Sequence, residues 1–414
     1  MSGVQKQATA YGNIRVLDMS RVLAGPWAGQ ILADLGADVI KVERPIRGDD
    51  ARHWGPPFLK DREGAETEEA AYFLCANRGK RSITVDISKP AGQKLIRKLA
   101  AKCDVLIENY KVGDLARFGL AYDDLKAINP ELIYCSVTGF GQTGPFSKYV
   151  GYDFMIQATG GLMSLTGHGD NEPGGGPMKV GVPVADLITG MYAAVAIQGA
   201  LARRARTGGG EWIDLALLDC QVAMLANQGQ NYLGGDGSLT PRMGNSHPNV
   251  APYEVFPTKD GHMVLAVGTD NQYQKFCAAV DRPDLAADPA YRTNGDRIRN
   301  RRSLSAQVRD IIVQRTTEDW LSTFGAVSVP CGPIHTLDQV YVHPQVVERE
   351  MVVHMDHSLA GDVRMTANPI RYREAPIVYD RAPPTLGQHT DEVLKQVLGM
   401  KPDEIQELAS EGVT

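Results

Sequence analysis

The sequence lacks the features that define several large classes of protein. Its 414 residues carry a formal net charge of −6 and contain no long block of lysine and arginine, so a nucleic-acid groove or an anionic membrane surface is a poor match. We find no apolar run near the roughly 18 residues that a membrane helix needs, and the first residues do not resemble a secretory signal. We therefore expect a cytoplasmic protein with no nucleic-acid partner and no membrane partner.

Metal and nucleophile motifs are also missing. The six cysteines stand apart with no CxxC pair, and the nine histidines are isolated along the chain, so we expect reduced thiols and no metal site. There is no GxSxG elbow, no HExxH pair and no Walker loop. The first strand-to-helix turn, SRVLAGPWAG, has glycines only at Gly25 and Gly29. It therefore falls short of GxGxxG, and a nicotinamide dehydrogenase is a minor alternative.

What is present is an alternation of short β-branched segments and amphipathic helices over the first 140 residues. We predict strands over residues 14–19, 38–43, 82–86, 104–108 and 132–137, with helices such as 26–35 and 90–102 between them. Apolar strands spaced by helices indicate βαβ units and a parallel sheet covered on both faces. The predicted fold class is therefore α/β.

The length of the chain and its changes in character predict two domains. We assign residues 1–205 and 326–414 to a large domain, 225–325 to a small domain and 206–224 to a linker. Long helices are expected over 151–162 and 186–206. The glycine-rich loop HGDNEPGGG between them is either a flexible connection or a mobile cover.

Cations and polar side chains gather at three ends of the predicted strands. They are Arg44 and Arg47 after the second strand, Arg78, Lys80 and Arg81 before the third, and Asn109, Tyr110, Lys111 and Arg117 after the fourth. A ligand with several phosphates, such as a nucleotide or CoA, would account for all three groups. The alternative is that these residues lie on a solvated edge of the sheet.

Asp186 stands between the small apolar run GVPVA and a long apolar helical segment. An aspartate before a helix usually caps it. The functional alternative is a nucleophile that the helix dipole keeps ionised while apolar surroundings remove its water. Residue type alone leaves both roles open. His247, in the turn-rich segment GNSHPNVAPY, is likewise either a turn residue or a residue that lines the site.

The ordered set of segments resembles the family III (CaiB/BaiF-type) CoA transferases. The resemblance runs from about Asn13 to about Leu398 and includes VLDMSRVLAGPWAGQILADLGADVIKVERP, YFLCANRGKRSITVDI, ADLITG, RTGGGEWIDLALLD, GNSHPNVAPYEVFPTKDG and PPTLGQHTDEVL. It implies a Rossmann-like large domain with a parallel sheet, a smaller inserted α/β domain and an interlocked homodimer. It also implies that CoA or acyl-CoA binds as a substrate, with no permanently bound cofactor and no metal.

The resemblance also implies roles for individual residues. Asp186 takes the position of the aspartate that becomes acylated. The implied CoA contacts are Arg21, Val22, Leu23, Ala24, Arg44, Val85, Asn109, Tyr110, Lys111 and Arg117. We add Tyr152, His247 and Arg242 as candidate substrate contacts, each with a purely structural role as the alternative.

The function that these observations favour is CoA transfer from an acyl-CoA, such as succinyl-CoA, to a small carboxylic or dicarboxylic acid through aspartyl anhydride and aspartyl-CoA thioester intermediates. The segments look most like the branch that uses dicarboxylates, such as succinyl-CoA:glutarate transferases. An α-methylacyl-CoA racemase is one alternative, but Tyr152 stands where racemases have a histidine, and a tyrosine with a pKa of about 10 is a poor base. A formyl-CoA:oxalate-type transferase is another, although those enzymes have histidine and glutamine where this chain has Arg21 and Leu23. A non-catalytic CoA-binding protein is the third.

Overall fold

In a computed structural model, which describes residues 9–414, the alternating segments of the N-terminal part form strands and helices in βαβ order. The strands are β1 (Arg15–Asp18), β2 (Asp38–Glu43), β3 (Phe58–Lys60), β4 (Glu66–Ala70), β5 (Lys80–Thr84), β6 (Val105–Glu108), β7 (Ile133–Thr138), β8 (Glu211–Ala216), β9 (Tyr253–Pro257), β10 (His262–Ala266), β11 (Cys331–Pro333), β12 (Val352–His357) and β13 (Gly361–Thr366).

The α-helices are α1 (Ala24–Asp34), α2 (Ala71–Leu74), α3 (Pro90–Ala100), α4 (Tyr122–Lys126), α5 (Asp153–Thr159), α6 (Leu162–Leu165), α7 (Val184–Thr207), α8 (Leu217–Met224), α9 (Ala226–Gly234), α10 (Asp270–Ala279), α11 (Pro283–Ala287), α12 (Asn294–Arg299), α13 (Arg301–Ile312), α14 (Thr317–Ala326), α15 (Leu337–Val342), α16 (Pro344–Glu348), α17 (Thr390–Leu398) and α18 (Pro402–Ser410). Short 3₁₀ helices occupy Asp50–His53, Leu115–Phe118 and Pro289–Tyr291.

The chain divides into two units. The first contains the chain up to Gly161, Val180–Ala226 and Pro344–Thr414, and the second contains Leu162–Lys179 and Asn227–His343.

The central element of the first unit is a six-stranded sheet with the spatial order β5-β2-β1-β6-β7-β8. All five pairings are parallel, so the predicted α/β class with a parallel sheet is confirmed. Numbered by their own succession along the chain, these strands have the order 3-2-1-4-5-6 of the doubly wound dinucleotide-binding fold. The order reverses between β1 and β6, where the loops after the strands diverge and leave the crevice in which such folds bind ligands.

Apolar side chains on both faces of the sheet are buried, which explains why the strands read as continuous apolar runs. On one face Val16 and Val105 pack in a cluster with Ala28 of α1 and Ile197 of α7. On the other face, Leu17 and its neighbours pack in a cluster with residues of α3 and α17. Full burial of a side chain of this size contributes roughly 1.5–3 kcal/mol. The two faces together therefore hold the strand ends in a rigid arrangement.

The prediction of a linker over 206–224 is wrong, because this segment contains β8 and α8. The glycines that suggest a linker form a tight turn instead. Gly208 ends α7 with φ 74°, and a Cβ on Gly210 would lie 2.3 Å from the carbonyl oxygen of Leu132. Since β8 is an edge strand whose side chains are alternately exposed, it lacks the apolar run that identified the other strands.

Two further boundaries differ from those predicted. The third strand of the sheet is Lys80–Thr84, two residues earlier than expected. The helix expected over 151–162 is interrupted at Gly160, so that α5 and α6 are separate.

The second unit has its own core. Its three-stranded antiparallel sheet has the order β11-β10-β9, and the buried cluster around it includes Phe256, Tyr273, Val308 and Trp320. Strand β11 pairs with β10, so this unit continues beyond residue 325, where the sequence analysis ended the small domain.

The expectation that the chain contains no apolar run long enough for a membrane helix is wrong for α7. By length and composition alone it is long and apolar enough to cross a membrane, whereas the sequence analysis saw no such run. The same helix supplies Ala193 and Ile197 to the buried face of the sheet. A core helix satisfies the same criteria, so the finding is weak evidence for a membrane span.

The approach of α1 to α7 depends on one glycine. A Cβ on Gly190 would lie 2.6 Å from the carbonyl oxygen of Ala24 and 3.0 Å from the Trp27 side chain. We expect Gly190→Ala to lower the free energy of unfolding by about 1–3 kcal/mol, because the contacting backbone atom has to move. Chemical denaturation of the variant and the parent chain measures the difference.

Gly199→Ala is the matched control on the same helix, since a Cβ there meets nothing within 4 Å. It should be neutral or stabilise the chain by up to about 1 kcal/mol, because alanine favours a helix over glycine. Equal stabilisation by both changes would contradict the close approach at Gly190.

Candidate active site

The loops after β1 and β6 are joined at the point where the strand order reverses. The backbone N–H of Arg21 donates to Asn109 Oδ1 at 2.9 Å, and Asn109 Nδ2 donates to the Arg21 carbonyl at 2.7 Å. The Arg21 guanidinium lies 4.8 Å from the centre of the Tyr110 ring, within the range of a cation–π contact. The structure therefore brings together three of the residues implied as CoA contacts.

The rest of the first turn leads directly into α1. Val22 is half-buried, and Leu23 and Ala24 are buried. Because α1 begins at Ala24, this turn presents the helix N–H groups that lack a partner within the helix. Among the residues of this turn, the guanidinium of Arg21 supplies the charge.

The remaining implied CoA contacts lie after other strands of the same edge. Arg44 is exposed, forms an ion pair with Asp50 and donates from Nε to the Gly48 carbonyl at 3.1 Å. Lys111 and Arg117 are exposed, and Val85 is buried. Their placement after β2, β6 and β5 is that of a ligand-facing edge, but their part in binding stays a prediction.

The basic group at Arg78, Lys80 and Arg81 is not on that edge. Arg78 pairs with Asp34, Lys80 with Asp18 and Arg81 with Asp38, and all three cations are buried. The interpretation of this group as phosphate ligands is wrong, because each cation forms an ion pair inside the fold and the residues precede or begin β5 rather than follow it. Their charges are neutralised inside the fold.

Asp186 lies in the first turn of α7 and does not cap it. The helix begins at Val184 after Pro183, so the capping role that residue type favoured is wrong. The Asp153 carboxylate instead accepts the Ala185 N–H at 2.8 Å, which satisfies one free donor of the helix start. The Asp186 carboxylate is thereby left available for chemistry.

The surroundings of Asp186 favour its neutral form. It is half-buried, and burial, followed by the nearby Asp153 carboxylate, raises the pKa of Asp186 to about 7. Within residues 9–414, neither a cation nor a hydrogen-bond donor offsets these two effects on its pKa. The expectation that the helix dipole keeps this group ionised therefore meets two opposing effects, burial and the Asp153 charge, which both raise its pKa.

Asp153 is a residue that the sequence analysis did not single out. It accepts a second hydrogen bond, from Gln157 Nε2 at 2.7 Å, while Gln157 Oε1 accepts the Val180 N–H at 2.9 Å. These contacts tie the start of α5 to the segment that leads into α7. Tyr152, directly before Asp153, has 58% of its surface exposed, so its predicted role as a substrate contact stays a prediction.

Tyr72 is a second residue that the sequence analysis missed. Burial raises the pKa of its hydroxyl, and the carboxylates of Asp186, Asp153 and Asp49 contribute in the same direction. Its ring meets Trp54 edge to face, with the centroids 5.2 Å apart. Tyr72 therefore lies in the part of the first unit where the charges of these carboxylates act on its hydroxyl. An aromatic residue in the segment AAYFLC resembles ordinary core, and no local signal distinguishes it.

The two predicted site residues of the second unit both have structural partners. Arg242 forms an ion pair with Asp170, and its Nε donates to the His168 carbonyl at 3.2 Å. The Nδ1 atom of His247 accepts the Asn249 N–H at 3.1 Å. Arg242 thus joins the segment before His247 to the glycine-rich loop 168–176. The role of both residues as substrate contacts stays a prediction.

No group of three or more histidine, cysteine, aspartate or glutamate side chains in residues 9–414 could hold a metal ion. The first unit contains a partly desolvated carboxylate, Asp186, and the turns that carry Arg21 and Asn109.

Comparison with known proteins places these features in context. The family model described as CoA-transferase family III matches residues 11–390. The chain is 45% identical to the succinate–glutarate CoA-transferase of Agrobacterium fabrum over 96% of this chain and 98% of the relative. It is 43% identical to the human succinyl-CoA:glutarate CoA-transferase over 97% of this chain and 89% of the relative. A crystal structure of a CaiB/BaiF family protein from Brucella suis has 46% identity and a TM-score of 0.80, covering 93% of this chain and 98% of that one.

The raised pKa of Asp186 has a consequence for stability. An ordinary aspartate has a pKa of about 3.9 in an unfolded chain. A pKa of about 7 in the folded chain means that the folded state binds the proton more tightly and loses stability as the pH rises from about 4 to about 7. Asp186→Asn removes that loss. We expect its melting temperature to exceed that of the parent chain at pH 8 and the difference to shrink towards pH 4.

Differential scanning calorimetry across this pH range measures the effect. Asp310→Asn, an exposed aspartate on α13, is the control and should shift the melting temperature equally little at all pH values. A difference between Asp186→Asn and the parent chain that is independent of pH would contradict the assigned pKa.

Proposed function

The chain belongs to CoA-transferase family III and is a CoA transferase, and from this premise we propose that it moves CoA from succinyl-CoA to glutarate or a closely related dicarboxylic acid, with Asp186 as the nucleophile. The observation that carries the proposal is the state of the Asp186 carboxyl, which is half-buried, does not cap its helix and has a pKa near neutrality. The relatives named above transfer CoA between succinate and glutarate, which supports the choice of acids.

The proposed reaction consists of four acyl exchanges. The Asp186 carboxylate attacks the thioester carbonyl and the C–S bond breaks. CoA thiolate departs, and the donor acyl group remains on Asp186 as a mixed anhydride. The thiolate then attacks the aspartyl carbonyl of the anhydride, which releases the donor acid and forms an aspartyl-CoA thioester. The acceptor carboxylate attacks this thioester and releases the thiolate again with a second anhydride. Attack of the thiolate on the acceptor acyl carbonyl gives the product thioester and restores Asp186.

Partial burial of Asp186 supports two requirements of this mechanism. The anhydride and the aspartyl thioester both hydrolyse in water, so the site has to exclude solvent. A carboxylate that has lost part of its hydration is also a better nucleophile than one in bulk water. Asp153 supports the arrangement because it holds the Ala185 N–H at 2.8 Å, next to the nucleophile. Acyl-CoA is the substrate, and these exchanges require no resident cofactor.

For CoA itself, we propose that the joined turns after β1 and β6 form the binding surface. Arg21, Arg44, Lys111 and Arg117 supply cations for the phosphates. Asn109 and Tyr110 complete the surface, together with the buried Val85 directly after β5. Tyr152, Arg242 and His247 are the proposed contacts of the acyl group or acceptor acid.

We also propose a cytoplasmic homodimer. Large apolar side chains are exposed on two helices of the first unit, including Phe154 and Met155 on α5 and Met191 and Val195 on α7. Exposed apolar patches of this kind mark protein interfaces. Light scattering on the purified chain distinguishes a dimer from a monomer.

The covalent intermediate provides the direct test. We expect incubation with succinyl-CoA, followed by hydroxylamine or borohydride, to modify Asp186, because both reagents trap activated acyl groups at the carboxyl carbon. Mass spectrometry of the digested protein identifies the site. Asp186→Asn should show no modification and should lose at least about a thousandfold in kcat, since it removes the nucleophile. Asp310→Asn is the control and should be labelled like the parent chain.

Transfer activity that persists in Asp186→Ala, without modification at residue 186, would overturn the proposed mechanism. Exchange of the α-proton in deuterated water, without net CoA transfer, would indicate a racemase instead.

The proposed role of Asp186 also predicts a pH dependence. Because the attacking form is the carboxylate, kcat/KM for succinyl-CoA should rise with pH and level off above an apparent pKa of about 7. Asp153→Asn should move this rise to lower pH, since it removes the negative charge that helps to raise the pKa of Asp186. Initial rates between pH 5 and pH 9, at saturating acceptor, measure both profiles. A rise centred near pH 4 in the parent chain would contradict the proposal.

A further inference from the structure

The turn between β1 and α1 contains a strained residue. Val22 has φ 71°, in the left-handed region that a β-branched side chain rarely adopts. Such a conformation is energetically unfavourable and persists only where the surroundings impose it. The strain falls within the turn that supplies Arg21–Ala24 to the proposed CoA surface, so the group that imposes it is of functional interest.

The backbone of this turn is held by a buried ion pair. The Val22 N–H donates to both carboxylate oxygens of Asp49, at 3.0 and 3.2 Å. Lys41 Nζ donates to Asp49 Oδ2 at 2.8 Å and to the Ser20 carbonyl at 3.0 Å. The pair therefore grips the backbone on either side of Arg21. Both side chains are 0% exposed, and burial holds them in one position.

The charges of this pair are maintained inside the protein. Burial alone would raise the pKa of Asp49, but the Lys41 ammonium and the N–H groups of Ala51 and Val22 outweigh it and lower the pKa from its ordinary value. A buried ion pair is a weak source of stability, because apolar residues of similar size often stabilise a fold as well or better. Its hydrogen bonds to the Val22 N–H and the Ser20 carbonyl instead hold the backbone of the turn in place.

We propose that Asp49, supported by Lys41, is a positioning residue that holds Val22 in its left-handed conformation and so shapes the turn Arg21–Ala24 for acyl-CoA. This inference rests on the proposed function of that turn in CoA binding. The Lys41–Asp49 pair thus serves substrate binding, and Asp49 itself does not touch the reacting atoms.

The first test separates positioning from folding. Lys41→Met combined with Asp49→Leu replaces the pair by apolar side chains of similar size, so the melting temperature should be retained or rise. The Val22 N–H loses its acceptor, and we expect KM for succinyl-CoA to rise roughly 10- to 100-fold while KM for the acceptor acid changes less than about threefold. Isothermal titration calorimetry with CoA should show the same loss of affinity.

Asp34→Asn is the matched control. Asp34 is also a buried aspartate paired with a cation, Arg78, but its pair contacts no residue of the turn. We expect it to lower the melting temperature and to leave KM for succinyl-CoA unchanged. An unchanged KM in the Lys41→Met, Asp49→Leu variant, or an equal rise in the control, would overturn the inference.

The second test relieves the strain directly. In the Lys41→Met, Asp49→Leu background, Val22→Gly should recover at least about threefold of the lost CoA affinity, because glycine adopts positive φ without the steric cost. Val22→Ala should recover none, since alanine retains that cost. Equal recovery by both substitutions would show that the conformation of residue 22 is not what Asp49 controls.

The inference and the proposed function fail in different ways. CoA affinity is measured by calorimetry without turnover, so it reports on the turn even if Asp186 never becomes acylated. Absence of a trapped adduct in the parent chain would overturn the proposed mechanism alone. Insensitivity of CoA affinity to the Lys41–Asp49 pair would overturn the positioning role alone.

Discussion

The distance between α1 and α7 sets the geometry on which the site depends. α1 follows the turn after β1, and α7 carries Asp186 in its first turn, so the two proposed halves of the chemistry belong to helices that touch at Gly190. There the Ala24 carbonyl oxygen leaves no room for a Cβ, which would approach it to 2.6 Å. A larger residue would separate the nucleophile from the turn that is proposed to bind the acyl-CoA. Packing between two helices therefore fixes a distance that neither helix could fix by itself.

Two aspartates of the first unit, the buried Asp49 and the half-buried Asp186, lie in environments that shift their pKa values in opposite directions. Asp49 is surrounded by an ammonium group and backbone N–H groups, and its pKa is lowered. Burial of Asp186, followed by the charge of the nearby Asp153 carboxylate, raises its pKa to about 7. The first environment suits a permanent charge that holds backbone in place. The second suits a group that exchanges between proton, acyl group and free carboxylate.

Local sequence pattern predicts those parts of the structure that neighbouring residues determine, but not those that depend on partners distant in the chain. Apolar strands and amphipathic helices were found because burial on both faces of a sheet demands those patterns. Strand β8 was taken for a linker, since an edge strand with alternately exposed side chains has no apolar run. Arg78 and Lys80 were taken for phosphate ligands because their acidic partners, Asp34 and Asp18, lie more than forty residues away along the chain. Tyr72 and Asp153 were missed for the same reason.

By itself, the sequence determined the α/β class and the position of Asp186 at the start of an apolar helix, because these follow from composition and periodicity. The family was indicated by the resemblance of its ordered motifs. The comparisons confirm the family. Only the tertiary structure decided that Asp186 is not a cap, that its pKa lies near neutrality, and that the Lys41–Asp49 pair grips the turn beside Arg21. Capping, desolvation and ion pairing depend on which groups meet in space, and those distances are set by packing between elements that are remote in the chain.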